Sequence, residues 1–187
     1  MIYYNGNVYL DSMGDYANEG ETLTKMYHLR NNYKIWATCR QHDLLTWKRH
    51  VDYVMGAGDN GIKLYTVKLV DTKSFIGVAG LVNFDMLNQS SEFSLYLDPK
   101  EQGKGYAQDA LKTLCNHGFR NLNLNRIYGE VFSTNEVALK SFHKCGFVQE
   151  GILRQSYYRD GKFIDTHMIG LTKDMWQKNL WSQLPQK

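Results

Sequence analysis

The chain has 187 residues, 43% of them hydrophobic and 22% charged, with a formal net charge of +3. This length suits one domain with a hydrophobic core, and the composition excludes a disordered chain. The charge is too small, and the basic residues are too scattered, to indicate a nucleic-acid-binding protein. The small positive excess is compatible with an anionic cofactor.

The three cysteines, Cys39, Cys115 and Cys145, form no CxxC pair. Their odd count argues against structural zinc and favours free, mostly buried thiols in a reducing compartment. The N-terminal segment lacks a basic start followed by an apolar run, and no segment reaches the roughly 20 apolar residues of a membrane span. We therefore expect a cytoplasmic protein that binds neither membrane nor nucleic acid.

The first part of the chain predicts one short strand and two helices. The strand lies at 6–13, and a weak helix follows at 21–32. A stronger helix begins with a cap at Asp43, because apolar residues recur at helical spacing from Leu44 to Val54. The sequence GAGDNG then breaks the chain.

An antiparallel meander of three strands is predicted next. The strands cover 63–70, 74–84 and 92–98, and the polar turns between them favour hairpins. In the third strand Glu92 lies on the face opposite Phe93, because successive side chains alternate.

The clearest helix begins after Gly105, since apolar and small residues repeat at helical spacing as far as Phe119. A strand at 126–132 and a second helix come next. A capping box predicts that this helix begins at Ser133, and a stop signal predicts that it ends at Gly146.

A hairpin about Asp160 and Gly161, within 154–171, precedes the tail of the chain. Strands and helices in this order predict a single domain of the α+β (mixed α/β) class. Its sheet is expected to be central, twisted and mostly antiparallel, with helices flanking it.

A glycine-rich turn stands directly before the clearest helix. Gly103 and Gly105 let the backbone approach a ligand closely, and Lys104 adds a cation. Gln102 adds a side-chain donor, and the small Ala107 keeps the first helical turn open. Because a helix N-terminus presents unpaired N–H groups and partial positive charge, this combination favours phosphate oxygens. A plain strand-to-helix connection is the alternative, since Gly-x-Gly is common in turns.

Two motifs carry a family resemblance. A strand ending in LYLDP, followed by Gln102-x-x-Gly105-x-Ala107 at the start of a helix, resembles the acetyl-CoA signature of the GNAT acyltransferase superfamily. The segment NEVALKSFHKCGF, which starts at Asn135, resembles that family's Asn-x-x-Ala helix. In the family this second helix ends in Gly-Phe and borders the pantetheine arm of CoA.

The resemblance extends over nearly the whole chain. It covers about 7–176 and implies one GNAT-like N-acetyltransferase domain over 1–187, with a C-terminal tail at 177–187. The early LRNN stretch and the segment from Glu150 to Arg154 look like the RimJ/RimL branch, which acetylates protein N-termini, polyamines and amino sugars. The resemblance is strongest to the amino-sugar N-acetyltransferases of the pseudaminic-acid pathway, which act on a UDP-linked sugar. The stretches that carry it are LRN, FSLYLDP, LNLNRIYGEVF and EGILRQSYYRDGKFID.

The resemblance implies direct acetyl transfer from acetyl-CoA, as co-substrate, to an amine, without a metal. In the family, amides of the glycine turn hold the diphosphate, and the preceding strand pairs with the pantetheine arm. The Leu97 N–H would polarise the thioester carbonyl, and Asn135 either orients the arm or only caps its helix. The implied cofactor-binding residues are Leu95, Leu97, Gln102, Gly103, Lys104, Gly105, Tyr106, Ala107, Asn135 and Phe142.

Glu92 is the predicted general base, because a protonated amine must lose a proton before it attacks. It matches a position where family members often carry a catalytic glutamate, and a solvent-facing glutamate is the alternative. His28 and His143 are weaker candidates. Many family members use a tyrosine as acid seven residues after the motif's asparagine, where this chain has Phe142. The group that protonates the CoA thiolate is therefore left unassigned, and a water would suffice for so good a leaving group.

The amine is expected to enter between the early helices and the last hairpin. The predicted substrate-binding residues are Arg30, Asn31, Trp36, Arg40, Tyr157, Tyr158 and Asp165. The absence of an acidic run weakens a polyamine substrate, whereas the two early arginines suit a phosphate or carboxylate.

The main hypothesis is acetylation of a primary amine on a nucleotide-linked amino sugar. Acetylation of a protein N-terminus or a polyamine is the alternative, and a non-catalytic acyl-CoA sensor is the alternative from another class. The sequence leaves the oligomeric state open and is compatible with a homodimer.

Overall fold

The computed structural model describes residues 1–3, 6–12, 20–41, 43–57 and 61–179. The strands are β1 (Ile2–Tyr3), β2 (Val8–Ser12), β3 (Lys63–Leu69), β4 (Phe75–Asp85), β5 (Ser90–Leu97), β6 (Arg126–Phe132), β7 (Val148–Arg159) and β8 (Lys162–Thr172). The helices are α1 (Gly20–Arg30), α2 (Tyr33–Trp36), α3 (Trp47–Met55), α4 (Tyr106–Arg120), α5 (Glu136–Lys144) and α6 (Lys173–Gln177). A short 3₁₀ turn, Pro99–Glu101, joins β5 to the glycine turn.

All eight strands form one sheet in the order β1-β2-β3-β4-β5-β6-β8-β7. Every neighbouring pair is antiparallel except β5 and β6, which run parallel. The predicted α+β class, the mostly antiparallel sheet and the β3–β4–β5 meander are therefore confirmed. Within the described ranges, no helix is long and apolar enough to cross a membrane.

Helices cover both faces of this sheet, because adjacent β4 side chains point in opposite directions. Ala79 belongs to the larger core cluster, in which Leu111 and Leu114 of α4 are fully buried. The next residue back, Val78, belongs to a second cluster with Met26 of α1 and Val54 of α3. The sheet is thus held between α4 on one side and α1 with α3 on the other.

Two helix starts differ from the sequence prediction. The third helix begins at Trp47, and its cap is Thr46, whose hydroxyl accepts the Arg49 N–H at 3.3 Å. Asp43 lies three residues before this cap, so its prediction as the cap was wrong. Apolar spacing alone does not distinguish two nearby cap residues.

The second motif's helix is likewise capped by Asn135, not by Ser133. The Asn135 side chain accepts the Ala138 N–H at 3.2 Å. Ser133 instead donates its backbone N–H to the Asp165 carbonyl at 2.9 Å, which keeps it in the turn before the helix. The stop at Gly146 is confirmed by its left-handed φ of 90°.

The last hairpin turns where the sequence predicts. Asp160 and Gly161 have φ values of 47° and 81°, as a tight two-residue hairpin turn requires. The predicted tail at 177–187 is described only as far as 179, and the rest of it lies outside the described residues.

The parallel pair β5–β6 separates soon after it begins. Its register runs through Ser90–Arg126 and Ser91–Ile127 to Glu92 and Tyr128, although both strands continue beyond these residues. The two strands diverge from there, and the gap between them, with α2 on one side and α5 on the other, is called the β5–β6 cleft below.

Candidate active site

The β5–β6 cleft consists of two adjoining cavities that share six lining residues. The Glu92 end is lined by Arg30, Arg40, Glu92, Ser94, Glu130 and Phe132. The Gly105 end is lined by Leu97, Gln102, Gly103, Gly105, Ala107 and Ser141. Thr38, Leu95, Tyr96, Asn135, Ala138 and Phe142 line both ends. One elongated ligand can therefore run from the helix terminus to the buried glutamate.

The backbone of β5 faces the cleft at two of the predicted positions. Asp98 donates its N–H to the Ile76 carbonyl at 2.8 Å, so Gly77 and Leu97 form a non-hydrogen-bonded pair of the antiparallel ladder. The N–H and C=O of Leu97 consequently point away from β4, and the two-residue alternation directs those of Leu95 the same way. Strand β5 thus offers backbone donors along the cleft.

The N-terminus of α4 is open at the other end of the cleft. Gly105, its N-cap residue, has a φ of 86°, and Gly103 has a φ of 79°. Apart from the glycine itself and its two chain neighbours, no described atom lies within 4 Å of the position that a Cβ would take at either glycine. Since α4 runs for 15 residues, its first N–H groups and dipole favour an anion there. These features fit the diphosphate of CoA.

Three residues in the glycine turn and at the start of α4 make contacts that the sequence did not predict. Gln102 Nε2 donates to the Leu97 carbonyl at 3.2 Å, which ties the turn to the end of β5. Lys104 Nζ lies 2.9 Å from a Glu101 carboxylate oxygen, and this hydrogen bond raises the pKa of Lys104. Tyr106 packs against the core. Gln102 lines the cleft, whereas Lys104 and Tyr106 do not.

Helix α5 forms the wall opposite β5. Asn135 lines the cleft and caps the helix as well, so both functions considered for it are compatible with one position. The Phe142 ring stands edge-on to Phe93, with centroids 5.0 Å apart. Ser141 lines the Gly105 end despite the angle of about 100° that separates successive helical side chains.

Glu92 is buried rather than solvent-facing, with an exposed fraction of 5%. Asn83 Nδ2 donates to Glu92 Oε2 at 2.8 Å, and Arg40 Nη2 donates to Glu92 Oε1. Asn83 has a left-handed φ of 52° within a register shift of the β4–β5 ladder. Both carboxylate oxygens therefore have fixed donors at the end of the cleft.

A second carboxylate, Glu130 of β6, lies at the same end. Its Oε1 is 3.6 Å from Arg40 Nη1, and its Oε2 accepts the Tyr157 hydroxyl at 3.2 Å. Burial lowers the pKa of the Arg40 guanidinium, but Glu92 and Glu130 outweigh this and raise it overall. Sequence reasoning missed Glu130, although a glutamate among the mostly apolar residues that follow Arg126 in the strand RIYGEVF was a signal.

The loop that carries Arg40 is held from β7. Arg159 is only 8% exposed, and its Nη2 donates to the carbonyl oxygens of Cys39 and Gln41. The second of these hydrogen bonds measures 2.9 Å. Since these carbonyls flank Arg40, Arg159 fixes the backbone on both sides of it. Nothing in the sequence pattern pointed to this contact across the fold.

Three of the predicted substrate-binding residues meet at the Glu92 end. Arg40 bridges the two glutamates there, and Tyr157 contacts one of them. Arg30 lies with its guanidinium carbon 5.5 Å from the centre of the Tyr96 ring, and it also lines this end. These three assignments stay predictions, now with a shared location.

The other four lie elsewhere. Asn31 exchanges two hydrogen bonds with the Leu45 backbone, at 2.8 and 3.0 Å, and holds two loops together. Asp165 accepts the N–H of Gln155 at 2.8 Å. The remaining two, Trp36 beside the Tyr33 ring and Tyr158 beside the Phe163 ring, do not line the cleft.

The two histidines considered as bases are not at the Glu92 end. His28 is exposed on α1. His143 Nδ1 lies 2.8 Å from the Phe147 carbonyl at the end of α5. Over the residues that the structure covers, no three His, Cys, Asp or Glu side chains lie close enough together to hold a metal ion.

Comparison with curated proteins gives relatives among acetyltransferases. The spermidine N(1)-acetyltransferase of Vibrio cholerae is 32% identical over 107 residues, which cover 57% of this chain and 61% of that protein. A putative ribosomal N-acetyltransferase of Bacillus subtilis, YdaF, is 28% identical over 157 residues, covering 84% and 81%. The chain spans about three fifths of the length of the curated relatives that it matches first.

Solved structures show the same fold. A spermidine N-acetyltransferase from Vibrio cholerae, determined in complex with CoA and spermine, superposes with a TM-score of 0.84 over 93% of this chain and 100% of the other, at 24% sequence identity. The model of the acetyltransferase (GNAT) domain matches residues 19–148, which include the cleft, the glycine turn and α5. This chain therefore belongs to the GNAT acetyltransferase family.

Proposed function

We propose that this protein transfers an acetyl group from acetyl-CoA directly to a primary amine. The observation that carries the proposal is that the two cavities of the β5–β6 cleft adjoin, with the N-terminus of α4 at one end and Glu92 at the other. The diphosphate of CoA binds at Gly103 and Gly105. The thioester then lies where Leu95, Asn135 and Phe142 line both ends.

The β5 backbone would position the thioester. Leu95 and Leu97 direct N–H groups into the cleft, where they can pair with the pantetheine arm and donate to the thioester carbonyl oxygen. Fixed donors aimed at an oxygen that gains negative charge lower the barrier to acyl transfer. The amine nitrogen attacks that carbonyl carbon, the C–S bond breaks, and the thiolate takes a proton from solvent.

Glu92 would receive the proton that the acceptor ammonium loses. It is the more deeply buried of the two carboxylates at this end, and Asn83 holds the orientation of its Oε2. A water between Glu92 and the amine would complete the transfer, since a general base acts within hydrogen-bond reach or through one water. Glu130 adds negative charge that stabilises the incoming ammonium.

A polyamine is the acceptor class that the relatives support best. Proteins named spermidine N-acetyltransferase from Vibrio cholerae are similar in sequence and in fold. The pair of glutamates at one end of the cleft supplies the carboxylates that an ammonium needs. This support favours the polyamine alternative over the nucleotide-linked amino sugar that the sequence suggested as the main hypothesis.

An amine that also carries an anionic group is the second candidate, and one observation favours it. Arg30 and Arg40 both line the Glu92 end. Arg30 Nη1 is buried without a hydrogen-bond partner among the described residues. A phosphate or carboxylate near the acceptor amine would satisfy it.

The proposal is tested by CoA release from acetyl-CoA with a panel of acceptors. The panel contains spermidine, a UDP-linked 4-amino sugar, and peptides with free N-terminal serine or alanine. We expect turnover with spermidine. Turnover with only the amino sugar would support the second candidate, and turnover with only the peptides would favour an N-terminal acetyltransferase. CoA binding without turnover on any amine would support a non-catalytic sensor.

The oligomeric state belongs to the proposal as well. A dodecameric form is described for the spermidine N-acetyltransferase from Vibrio cholerae. We infer that this chain also forms a homo-oligomer, and light scattering of the purified protein measures this directly.

A further inference from the structure

Arg40 bridges the two strands at the Glu92 end of the β5–β6 cleft. One guanidinium nitrogen donates to Glu92 on β5, and the other lies 3.6 Å from Glu130 on β6. Glu92 is at the last paired position of the two strands, so the guanidinium sits where they begin to separate. Its positive charge lies between the carboxylates of Glu92 and Glu130. An acceptor ammonium would be stabilised by the same two carboxylates.

The Arg40 side chain has room to move, whereas its backbone does not. Side-chain exposure is 43% for Arg40 but only 6% for Glu92. The backbone on both sides of Arg40 is held through the carbonyls of Cys39 and Gln41 by Arg159. An entering ammonium can thus displace the guanidinium towards solvent, but the charge remains tethered a few ångströms from the bound amine.

We infer that Arg40 determines the charge selectivity of the acceptor site. The inference rests on the proposed function. Arg40 then sets the preference between a polyamine and an amine that also carries an anionic group. The tethered guanidinium repels a second positive charge on the acceptor and attracts a negative one. The two glutamates alone would favour polycations, and Arg40 offsets that preference.

The size of the effect follows from Coulomb's law. The two charges are the Arg40 guanidinium and the distal charged group of the acceptor. At a separation of about 8 Å and the effective dielectric constant of a partly exposed protein site, their interaction changes a binding constant by about tenfold or more. The Arg40 side chain is 43% exposed, so solvent screening keeps the change in the binding constant at about tenfold. Loss of the Arg40 charge is therefore expected to raise the selectivity for cationic acceptors about tenfold and to lower the selectivity for anionic acceptors by a similar factor.

The test uses three acceptors with the same four-carbon chain and different distal groups. Butylamine ends in a methyl group, putrescine in an ammonium and 4-aminobutyrate in a carboxylate. The kcat/KM of each is measured with the wild-type protein, Arg40→Met and Arg40→Lys. Arg40→Met keeps a similar side-chain length without the charge. Arg40→Lys keeps the charge and is the matched control.

In Arg40→Met we expect the kcat/KM ratio of putrescine to butylamine to rise about tenfold. The ratio of 4-aminobutyrate to butylamine should fall by a similar factor, and both ratios in Arg40→Lys should stay within about threefold of the wild-type values, because the positive charge is kept. Equal loss on all three acceptors would identify Arg40 as a brace for the glutamates and overturn the inference. So would an Arg40→Lys variant that behaves like Arg40→Met.

Two further measurements keep the test decisive. If Arg40→Met does not fold, Arg40→Gln, which can still donate a hydrogen bond to Glu92, must show the same change in ratios. If the wild-type protein acetylates none of the three amines, the transferase proposal fails on these acceptors. Calorimetric dissociation constants of the amines, measured with CoA bound, then test the charge selectivity independently of turnover. Unchanged ratios of these constants would overturn it.

Discussion

The ring of Phe142 stands edge-on to the ring of Phe93, with centroids 5.0 Å apart and the ring planes at 78°. This packing places a phenyl group in the cleft at the position where many GNAT enzymes carry a tyrosine that acts as the general acid. Because the CoA thiolate is a good leaving group, a water molecule is sufficient to protonate it.

Phe142→Tyr therefore tests whether proton return to the thiolate limits turnover. We expect kcat to change by less than about threefold, since general-acid assistance to so good a leaving group contributes little. Steady-state kinetics with saturating acetyl-CoA measure this. A rise of about tenfold or more would contradict the expectation and show that proton return limits turnover, since general-acid catalysis typically contributes about a hundredfold or more.

Glu92→Gln should lower kcat by about a hundredfold or more, because it removes the general base while keeping the side-chain shape. CoA affinity should be unchanged, since Glu92 lies at the opposite end of the cleft from Gly105. Glu150→Gln is the matched control: Glu150 pairs with Arg126 outside the cleft, and its variant should retain wild-type kcat. Equal kcat in the wild type and Glu92→Gln would exclude Glu92 as the base.

Gly105→Ala should reduce both stability and CoA affinity. Its φ of 86° is unfavourable for alanine and should lower the free energy of unfolding by about 1 kcal/mol. The new methyl group also stands at the N-terminus of α4, so we expect CoA affinity to fall about tenfold.

Gly61→Ala is the control for this substitution. Gly61 also has a left-handed φ, 70°, and space around it, but it does not line the cleft. It should lose similar stability and bind CoA like the wild type. Calorimetric titration with CoA compares the two, and equal CoA affinities would place the diphosphate elsewhere.

Arg159→Met should loosen the loop that carries Arg40. The substitution removes the donors of the Cys39 and Gln41 carbonyls, and we expect a loss of about 2 kcal/mol in the free energy of unfolding. Arg154→Met, at an exposed position of the same strand, should change it by less than about 0.5 kcal/mol. Denaturant titration measures both, and equal stabilities would show that the loop does not depend on Arg159.

His50 should make stability depend on pH. Burial lowers the pKa of His50 below its ordinary value of 6.5, while its ring nitrogen lies 3.1 Å from the Leu23 carbonyl. The unfolded chain therefore binds a proton more readily than the folded protein, and stability falls as the pH drops through about 6.5. His117, whose pKa burial also lowers, acts in the same direction.

His50→Gln should therefore reduce the loss of stability between about pH 7.5 and about pH 5.5, and His117 should account for part of what remains. His28→Gln, at an exposed position, should keep the wild-type slope. Denaturant midpoints at the two pH values provide the measurement. A slope that is unchanged in His50→Gln would rule out His50 as a contributor.

The sheet and the cofactor end of the cleft could be predicted because their signals are local. Alternation predicted β3 and β5, a nearly continuous apolar run predicted β4, and helical spacing after Gly105 predicted α4. Gly103 and Gly105 have left-handed φ values, and the space around them is compatible with the close approach that the two glycines predicted. Cap positions were less predictable, since Thr46 and Asp43 are equally plausible caps by residue type.

The acceptor end could not be predicted because it depends on contacts between distant segments. The pair of Arg40 with Glu92 joins residues 52 positions apart, and Arg159 reaches Cys39 across 120 positions. Nothing in the local sequence distinguishes Arg40, which enters the cleft, from Asn31, which holds two loops together. The burial of Glu92 also depends on the loop that covers it.

The most direct test of the central claim follows the acetyl group itself. CoA release does not distinguish transfer to an amine from hydrolysis of the thioester, so acetyl-CoA labelled at the carbonyl carbon is incubated with the protein and spermidine and followed by NMR. We predict one labelled N-acetyl amide for each CoA released, and loss of this signal in Glu92→Gln. Labelled acetate as the only product, or bound acetyl-CoA that stays intact, would contradict the assignment of an N-acetyltransferase.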